Sequence, residues 1–400
     1  MTTTAPSSGQ TNVNLLVAAQ ALGSASPPII ISLGGIVGQM LATDTRLATL
    51  PVSLFNLGVA LSTIPAALLM RSLGRRATYA MGTLMGALSG LLAAWGVLHR
   101  SFELFCLGTA LAGFYGACVQ SYRFAASDAV APPQRGRAIS RIMIGGLIAA
   151  VIGPQMVIWT RDAWPGAPFA GSFMGQAALA LLAFPLVLAL RAPAPLTATE
   201  AAGAARSLGA IARQPKFVVA VIAGVVSYGL MSFIMTATPI AMVGCGHTVG
   251  EAALGIQWHV LAMFAPSFFT GRLIERFGKP AITALGLALM ATSGLLALAG
   301  LELLHFWGAL ILLGVGWNFG FIGATAMVTD CYRPTERAKV QALNDFLVFG
   351  TVAAASFSSG RLLNTAGWDM LNTLMLPLLA GVMLLLGWLV LRERRVDVIA

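Results

Sequence analysis

The sequence predicts an all-α membrane protein with twelve transmembrane helices in two six-helix halves. Of its 400 residues, 58% are hydrophobic and only 10% are charged, whereas a soluble protein carries about 25% charged residues. Twelve spans of about 20 apolar residues each would use about 240 residues and leave enough chain for loops. The placement of the basic residues and an internal repeat support the same architecture.

The apolar segments follow one another with short polar loops between them. The chain contains 44 glycines and 19 prolines, which membrane helices tolerate because neighbouring helices satisfy the backbone groups that these residues free. We expect spans at approximately 14–37, 48–70, 77–98, 103–126, 140–160, 170–191, 217–243, 251–272, 280–300, 304–328, 341–361 and 368–391.

The basic residues lie almost entirely in alternate loops. With the N-terminus placed in the cytoplasm, 20 of the 24 Lys and Arg residues fall on the cytoplasmic side. Such a bias sets the orientation of a membrane protein, so we expect both termini to be cytoplasmic. The net charge of +10 therefore indicates topology, with the lipid bilayer as the partner, and not nucleic-acid binding. The polar N-terminus lacks the basic region of a signal peptide, and four scattered cysteines indicate no disulfide framework.

An internal repeat divides the chain into two parallel halves. Residues 72–97 and 276–301 share Gly and Ser-Gly-Leu-Leu-Ala positions at a constant offset of 204, and such self-similarity is the sequence signature of a duplicated unit. The repeat predicts an N-terminal half at 1–191, a cytoplasmic linker at 192–216 and a C-terminal half at 217–400.

The loop after the second span resembles a signature of the major facilitator superfamily, G-x-x-x-D-R-x-G-R-R. Residues 67–76 read ALLMRSLGRR and residues 271–279 read GRLIERFGK, so Arg71 stands where the family has an Asp. The resemblance extends over nearly the whole chain and implies the major facilitator fold, whose halves rock to give alternating access. It assigns the cytoplasmic gate to Arg75, Arg76, Glu275 and Arg276.

The sequence offers no candidate for catalysis. It contains no GxSxG, no P-loop and no HExxH motif, and no acidic residue is placed near the middle of a span. We therefore expect a transporter that is not an enzyme and has no cofactor.

Two short motifs place soft metal ligands on neighbouring helices. Helix 7 carries Met231-x-x-x-Met235 and helix 8 carries His259-x-x-x-Met263, and residues four apart share one face of a helix. Met235 and His259 each lie about 8 residues from the periplasmic end of their span, and Met231 and Met263 each lie about 12 residues from it. Antiparallel neighbouring helices would therefore present the two pairs at the same depth. One imidazole and three thioethers favour a soft ion such as Cu(I), although methionine is also a common packing residue.

These motifs and their spacing resemble those of CcoA-type copper importers, a family of bacterial major facilitators. The resemblance implies that Met231, Met235, His259 and Met263 bind copper. It further implies import across the bacterial inner membrane for assembly of cbb-type haem–copper oxidase, with the copper ion as substrate and a copper chaperone as a candidate partner. Outside the four ligands, the expected metal entry site is Cys245 and His247, for which a plain loop is the alternative.

Two other functions stay open at this point. The first is an organic-solute carrier, since relatives of the copper importers include riboflavin-type carriers. Aromatic and amide side chains would then line a cavity for a flat ring. The second is a copper receptor that does not transport. For the organic-solute carrier, the residues expected to line the ring cavity are Tyr115, Gln120, Tyr228, Trp317, Asn318 and Phe319.

Overall fold

The computed structural model describes residues 8–130, 135–191 and 206–399, and it contains no strand in these ranges. Two short 3-10 turns, Thr45–Leu47 and Pro334–Glu336, supplement the α-helices. The helices are α1 (Ser8–Gly23), α2 (Ser26–Leu41), α3 (Leu50–Ser72), α4 (Gly74–Leu98), α5 (Phe102–Gln120), α6 (Tyr122–Asp128), α7 (Arg135–Thr160), α8 (Ala170–Leu188), α9 (Leu208–Ala212), α10 (Pro215–Gly244), α11 (Val249–Phe264), α12 (Ser267–Phe277), α13 (Lys279–Leu298), α14 (Leu303–Thr329) and α15 (Arg337–Ile399).

The described residues supply twelve spans. Ten helical segments are long and apolar enough to cross a membrane, and α11 with α12, interrupted at Ala265 and Pro266, would make an eleventh. The longest helix, α15, contains Gly367 at φ 83° and ψ 177°, which no helix accommodates, so two helices meet there. Because α15 therefore provides two spans, the predicted all-α fold with twelve transmembrane helices is confirmed.

The chain forms two compact units. One comprises the described residues of Met1–Leu196 together with Thr248–Leu261, and the other comprises those of Thr197–His247 together with Ala262–Ala400. Helix α11 is divided between them after Leu261. The boundaries expected from the repeat stay a prediction, and most of the expected linker, 192–205, lies outside the described residues.

Small residues allow the helices within each unit to pack closely. In the first unit, a methyl group on Gly113 of α5 would lie 2.5 Å from the Cα of Gly58 on α3. In the second, a methyl group on Gly286 of α13 would lie 2.6 Å from the carbonyl oxygen of Gly316 on α14. Close backbone approach of this kind replaces the hydrophobic driving force that helices lack in lipid.

Large apolar side chains are exposed along the spans. Leu61, Ile64 and Leu384 are 63%, 65% and 75% exposed, which would be unfavourable in water over so wide a surface. These faces fit contact with the acyl chains of a bilayer, as the composition predicts.

Candidate functional site

Helix α11 ends at Phe264 and α12 begins at Ser267, and a buried amide supports this break. Pro266 has no N–H and cannot continue the helical hydrogen bonds. The Nδ2 of Asn318, a fully buried residue of α14, donates to the carbonyl oxygen of Met263 at 2.6 Å and to the Oγ of Ser267 at 2.7 Å. The Oδ1 of Asn318 accepts from the hydroxyl of Thr270 at 2.6 Å. The amide therefore has a structural role here, contrary to its expected place in a ring cavity.

Next to this break lies a group of five aromatic residues, which we call the aromatic cluster. The ring of Trp317 is stacked on Phe321 at 5.3 Å between centroids, with an interplanar angle of 13°. Tyr228 of α10 lies 5.2 Å from Trp317 and 5.8 Å from Phe349 of α15, and Phe264 meets Trp317 edge to face at 6.5 Å. Four helices, α10, α11, α14 and α15, thus bring flat apolar faces together.

Three other residues expected at the ring cavity lie outside the aromatic cluster. Tyr115 is buried in the first unit, where a methyl group on Gly86 would lie 2.8 Å from the Cγ of its ring. Gln120 is exposed at the end of α5. Phe319 packs against Phe269, with ring centroids 6.4 Å apart. Of the six expected residues, the structure therefore places Tyr228 and Trp317 in one cluster. Sequence reasoning missed Phe321 and Phe349. The four-residue spacing from Trp317 was an available signal for Phe321, whereas Phe349 comes from another helix and has no such signal.

The first unit contains a polar pair inside its membrane helices. The Nε2 of Gln155 on α7 donates to the Oε1 of Gln257 on α11 at 3.0 Å. Side-chain amides commonly satisfy one another in this way between membrane helices. Each of the two amides retains at least one N–H donor and an oxygen lone pair that this hydrogen bond does not use.

All four side chains predicted as copper ligands are buried. Met231 and Met235 lie on α10 and Met263 lies near the end of α11, all in the second unit, whereas His259 belongs to the first. Met231 and Met235 are four residues apart and share one face of α10, as the spacing predicted. That these four side chains bind a metal ion stays a prediction.

The expected entry residues Cys245 and His247 lie beyond the end of α10. His247 Nε2 is 2.9 Å from the carbonyl oxygen of Leu301, and its ring packs edge to face on Phe306 at 5.6 Å. Partial burial, with a smaller contribution from Asp369, raises the pKa of the exposed Cys245 thiol, which lowers the fraction of the metal-binding thiolate. These contacts favour the plain-loop alternative, and the entry role stays a prediction.

Among the predicted gate residues, Arg75 forms an ion pair within the first unit. Its Nη2 donates to the Oδ2 of Asp128 at 2.6 Å, and both side chains are half-buried. The preceding Gly74 has φ 81° and the repeat-equivalent Gly278 has φ 86°, a left-handed conformation that favours glycine. Both copies of the motif therefore have a glycine at positive φ where one helix ends and the next begins.

The second unit repeats this ion pair with an additional cation. Lys279, the equivalent of Arg75, donates to Asp330, and the Nζ of Lys216 lies 3.1 Å from the other oxygen of the same carboxylate. Partial burial raises the pKa of Asp330, but the hydrogen bonds from the two lysines outweigh it, and the net pKa is lowered. Asp128 and Asp330 are 202 residues apart, an offset that also occurs in the repeat, so the sequence already indicated that these two carboxylates are equivalent.

The remaining predicted gate residues, Arg76, Glu275 and Arg276, are exposed. The guanidinium of Arg276 lies 5.1 Å from the centre of the Phe277 ring. A gating role for these three residues stays a prediction.

Sequence reasoning missed one buried carboxylate, Glu336. It follows α14 in a 3-10 turn, is fully buried, and accepts from Nε and Nη2 of Arg206 at 2.9 and 2.7 Å. The backbone N–H groups of Arg206 and Arg333 also donate to it, and Lys339 donates to the carbonyl oxygen of Arg206. The hydrogen bonds from Arg206 lower the pKa of Glu336 far below its usual range. The segment that enters the second half is thereby fastened to the α14–α15 loop.

The chain is similar to characterised and uncharacterised carriers along most of its length. It is 61% identical over 373 residues to the riboflavin transporter RfnT of Brucella anthropi, which covers 93% of this chain and 94% of that protein. It is 31% identical to the uncharacterized MFS-type transporter YdeG of Bacillus subtilis, over 92% of this chain and 88% of the relative.

This similarity corrects the function inferred from the methionine motifs. A relative at 61% identity over nearly the full length is a riboflavin transporter, so copper import, a supply of copper for cytochrome oxidase assembly, and the copper ion and chaperone as partners were wrong. The likeness to CcoA-type importers depended on four residues in two helices. Soft side chains at helical spacing also occur as packing residues, and the spacing does not distinguish the two uses.

The superfamily suggested by the repeated loop motif is supported independently. The sequence matches the Major Facilitator Superfamily over residues 13–347 and 220–398. These matches cover the chain from the first span to the last, and the twelve apolar helices make it a multi-pass membrane protein. The chain belongs to the major facilitator superfamily.

Proposed function

We propose that the protein carries riboflavin across the bacterial cytoplasmic membrane. The observation that carries this proposal is the 61% identity to a riboflavin transporter over 93% of this chain. Identity at this level over both halves includes the helices that would contact a substrate as well as those that form the scaffold.

The composition of the spans suits such a cargo. Riboflavin combines a planar, uncharged three-ring system with a chain of hydroxyl groups. Aromatic faces bind flat rings by stacking, and side-chain amides such as those of Gln155 and Gln257 form hydrogen bonds with ring carbonyls or hydroxyls. A neutral substrate also needs no buried countercharge, which would be costly inside a membrane.

The mechanism that we propose is alternating access with an unmodified substrate. The two homologous halves would rock and expose the substrate to each side in turn, so the protein acts as a carrier and not as an enzyme. The distribution of basic residues supports a cytoplasmic location for both termini, because 20 of 24 Lys and Arg residues then face the cytoplasm.

Uptake by a bacterial strain that cannot synthesise riboflavin tests the proposal. Cells expressing the protein should grow at a riboflavin concentration that does not sustain the vector control, and they should accumulate radiolabelled riboflavin. Membrane levels should be measured by immunoblot, and cellular copper should be the same in both strains. Normal membrane levels without riboflavin accumulation, under conditions in which RfnT supports it, would refute the proposal.

A further inference from the structure

Trp317 carries an unpaired donor in a buried position. Its side chain is 7% exposed, and its indole N–H has no hydrogen-bond acceptor among the described residues. An unpaired buried donor destabilises a folded protein, and buried indoles usually have a partner. A donor left open next to half-buried aromatic rings is therefore suited to pairing with a ligand.

The position of Trp317 along α14 corresponds to the middle of the membrane. It is the fifteenth of the 27 residues in Leu303–Thr329, which places about 21 Å of helix on one side of it. The exposed residues Leu304 and Ile311 lie about 140° and 120° around the helix from Trp317. The indole therefore faces away from the lipid-exposed side of α14.

The neighbouring rings hold the indole plane and leave aromatic surface accessible. Phe321 lies one turn further along the same helix and is stacked on the indole. Tyr228, Phe321 and Phe349 are each only partly buried, so part of each side chain is not covered by the protein. A rigid set of aromatic faces provides stacking surface at a low entropic cost.

The charge of this region restricts the ligand class. No charged residue occurs between Leu303 and Thr329, and Lys216 near the start of α10 is the one charged residue between Pro215 and Gly244. On α15, the charged residue nearest in sequence to Phe349 is the acidic Asp345. An anionic group would lose its hydration here without gaining a cation. The fitting ligand is an uncharged aromatic ring that carries hydrogen-bond acceptors, and the ring system of riboflavin has carbonyl oxygens and ring nitrogens of this kind.

We propose that Tyr228, Trp317, Phe321 and Phe349 bind the ring of the substrate, and that the indole N–H of Trp317 donates to an acceptor atom of that ring. This assignment rests on the proposed riboflavin transport. It makes Trp317 a specificity-determining residue, because a site built around one fixed donor discriminates against rings without a matching acceptor.

Three variants and one control test the assignment in the uptake assay. Trp317→Phe keeps an aromatic ring and removes the donor, and its KM for riboflavin should rise about tenfold, the loss expected for one unpaired hydrogen bond. Trp317→His restores a ring donor and should have a KM below that of the Phe variant. Phe321→Leu removes stacking surface and should also raise the KM. Trp159→Phe changes a residue that is 76% exposed and should behave as the wild type.

The fluorescence of bound riboflavin provides a test that needs no variant. Flavin emission is quenched when the ring is stacked on tryptophan or tyrosine, so binding to the purified wild-type protein should strongly reduce it. Unquenched emission of the bound flavin, or an unchanged KM in Trp317→Phe at wild-type membrane levels, would overturn the assignment while leaving riboflavin transport intact. A wild-type protein that takes up no riboflavin would remove the proposed function and this assignment with it.

Discussion

The closest helix contact in the second unit predicts a large effect of one methyl group. In Gly286→Ala, the added carbon would lie 2.6 Å from the carbonyl oxygen of Gly316 and 2.6 Å from the Cα of Gly320. Both atoms belong to the backbone of α14, so no side-chain rotation relieves the contact. The repeat supplies a matched position, because in Gly82→Ala the added carbon would meet the side chain of Cys118 at 2.9 and 3.0 Å.

The magnitude follows from two opposing contributions. Alanine is favoured over glycine within a helix by about 1 kcal/mol. Carbon atoms need about 3.5 Å, so α13 and α14 would have to separate by about 1 Å, and overpacking of this kind costs about 1–3 kcal/mol. Because the contact of Gly286 is with backbone, we expect a cost at the upper end and a net loss of about 2 kcal/mol. For Gly82→Ala, we expect the two contributions to cancel approximately.

Thermal unfolding of the purified protein in detergent measures this difference. With an unfolding entropy of about 2.1 cal/mol/K per residue over the 400-residue chain, a loss of about 2 kcal/mol corresponds to a lowering of the apparent Tm by about 2–3 °C. Gly381→Ala is the control, because nothing lies within 4 Å of its added carbon, and its Tm should be equal to or above that of the wild type. If Gly286→Ala unfolds at the wild-type temperature, or Gly82→Ala is the less stable of the two, the inferred backbone contact is wrong.

Three further predictions concern buried polar groups and charge. Glu336→Gln should lower the Tm at pH 7. Because the folded-state pKa of Glu336 is lowered, the contribution of its carboxylate to stability is present above the unfolded pKa of about 4.3 and is lost at lower pH. In a pH series of unfolding scans, the difference in Tm between variant and wild type should therefore shrink below about pH 4. Asn318→Leu leaves the Met263 carbonyl and the Thr270 hydroxyl without the amide, which should cost about 2–4 kcal/mol and appear as a lower Tm; a wild-type Tm would contradict the support described for the helix break. FMN in large excess should leave uptake of labelled riboflavin unchanged, because α14 carries no cation for its phosphate and α10 carries only Lys216 near its start; competitive inhibition by FMN would contradict that reasoning.

The fold was predictable because its causes are local and are repeated along the chain. Apolar runs of about 20 residues have few stable alternatives to a membrane helix. The end of the eighth span was less accessible to sequence reasoning. Pro266 signals a possible break, but the groups that satisfy the freed backbone come from Asn318, 52 residues away in sequence, and no local pattern reveals that contact.

The candidate site was harder to predict because it depends on which residues meet across helices. Helical spacing correctly indicates that Met231 and Met235 share a face, but it does not show whether that face binds an ion or packs against a neighbour. Trp317 and Tyr228 were among the residues expected for a flat ring. Phe321 stacks on Trp317 within α14, whereas Phe349 joins the aromatic cluster only through the packing of α15 against α10. The proposed chemical class of the substrate rests on similarity over the whole chain and not on any one motif.

The two halves differ in the surroundings of one equivalent pair of aromatic residues. Tyr115 and Trp317 occupy equivalent positions at the offset of 202, and neither side-chain donor has an acceptor among the described residues. In the first half, Gly86 leaves room for the Tyr115 ring against α4. Its equivalent at the offset of 204 in the second half is the fully buried Met290, which fills that space beside Gly316. Trp317 therefore has no such recess and lies among partly buried rings, so ring recognition is expected to be concentrated in the second half.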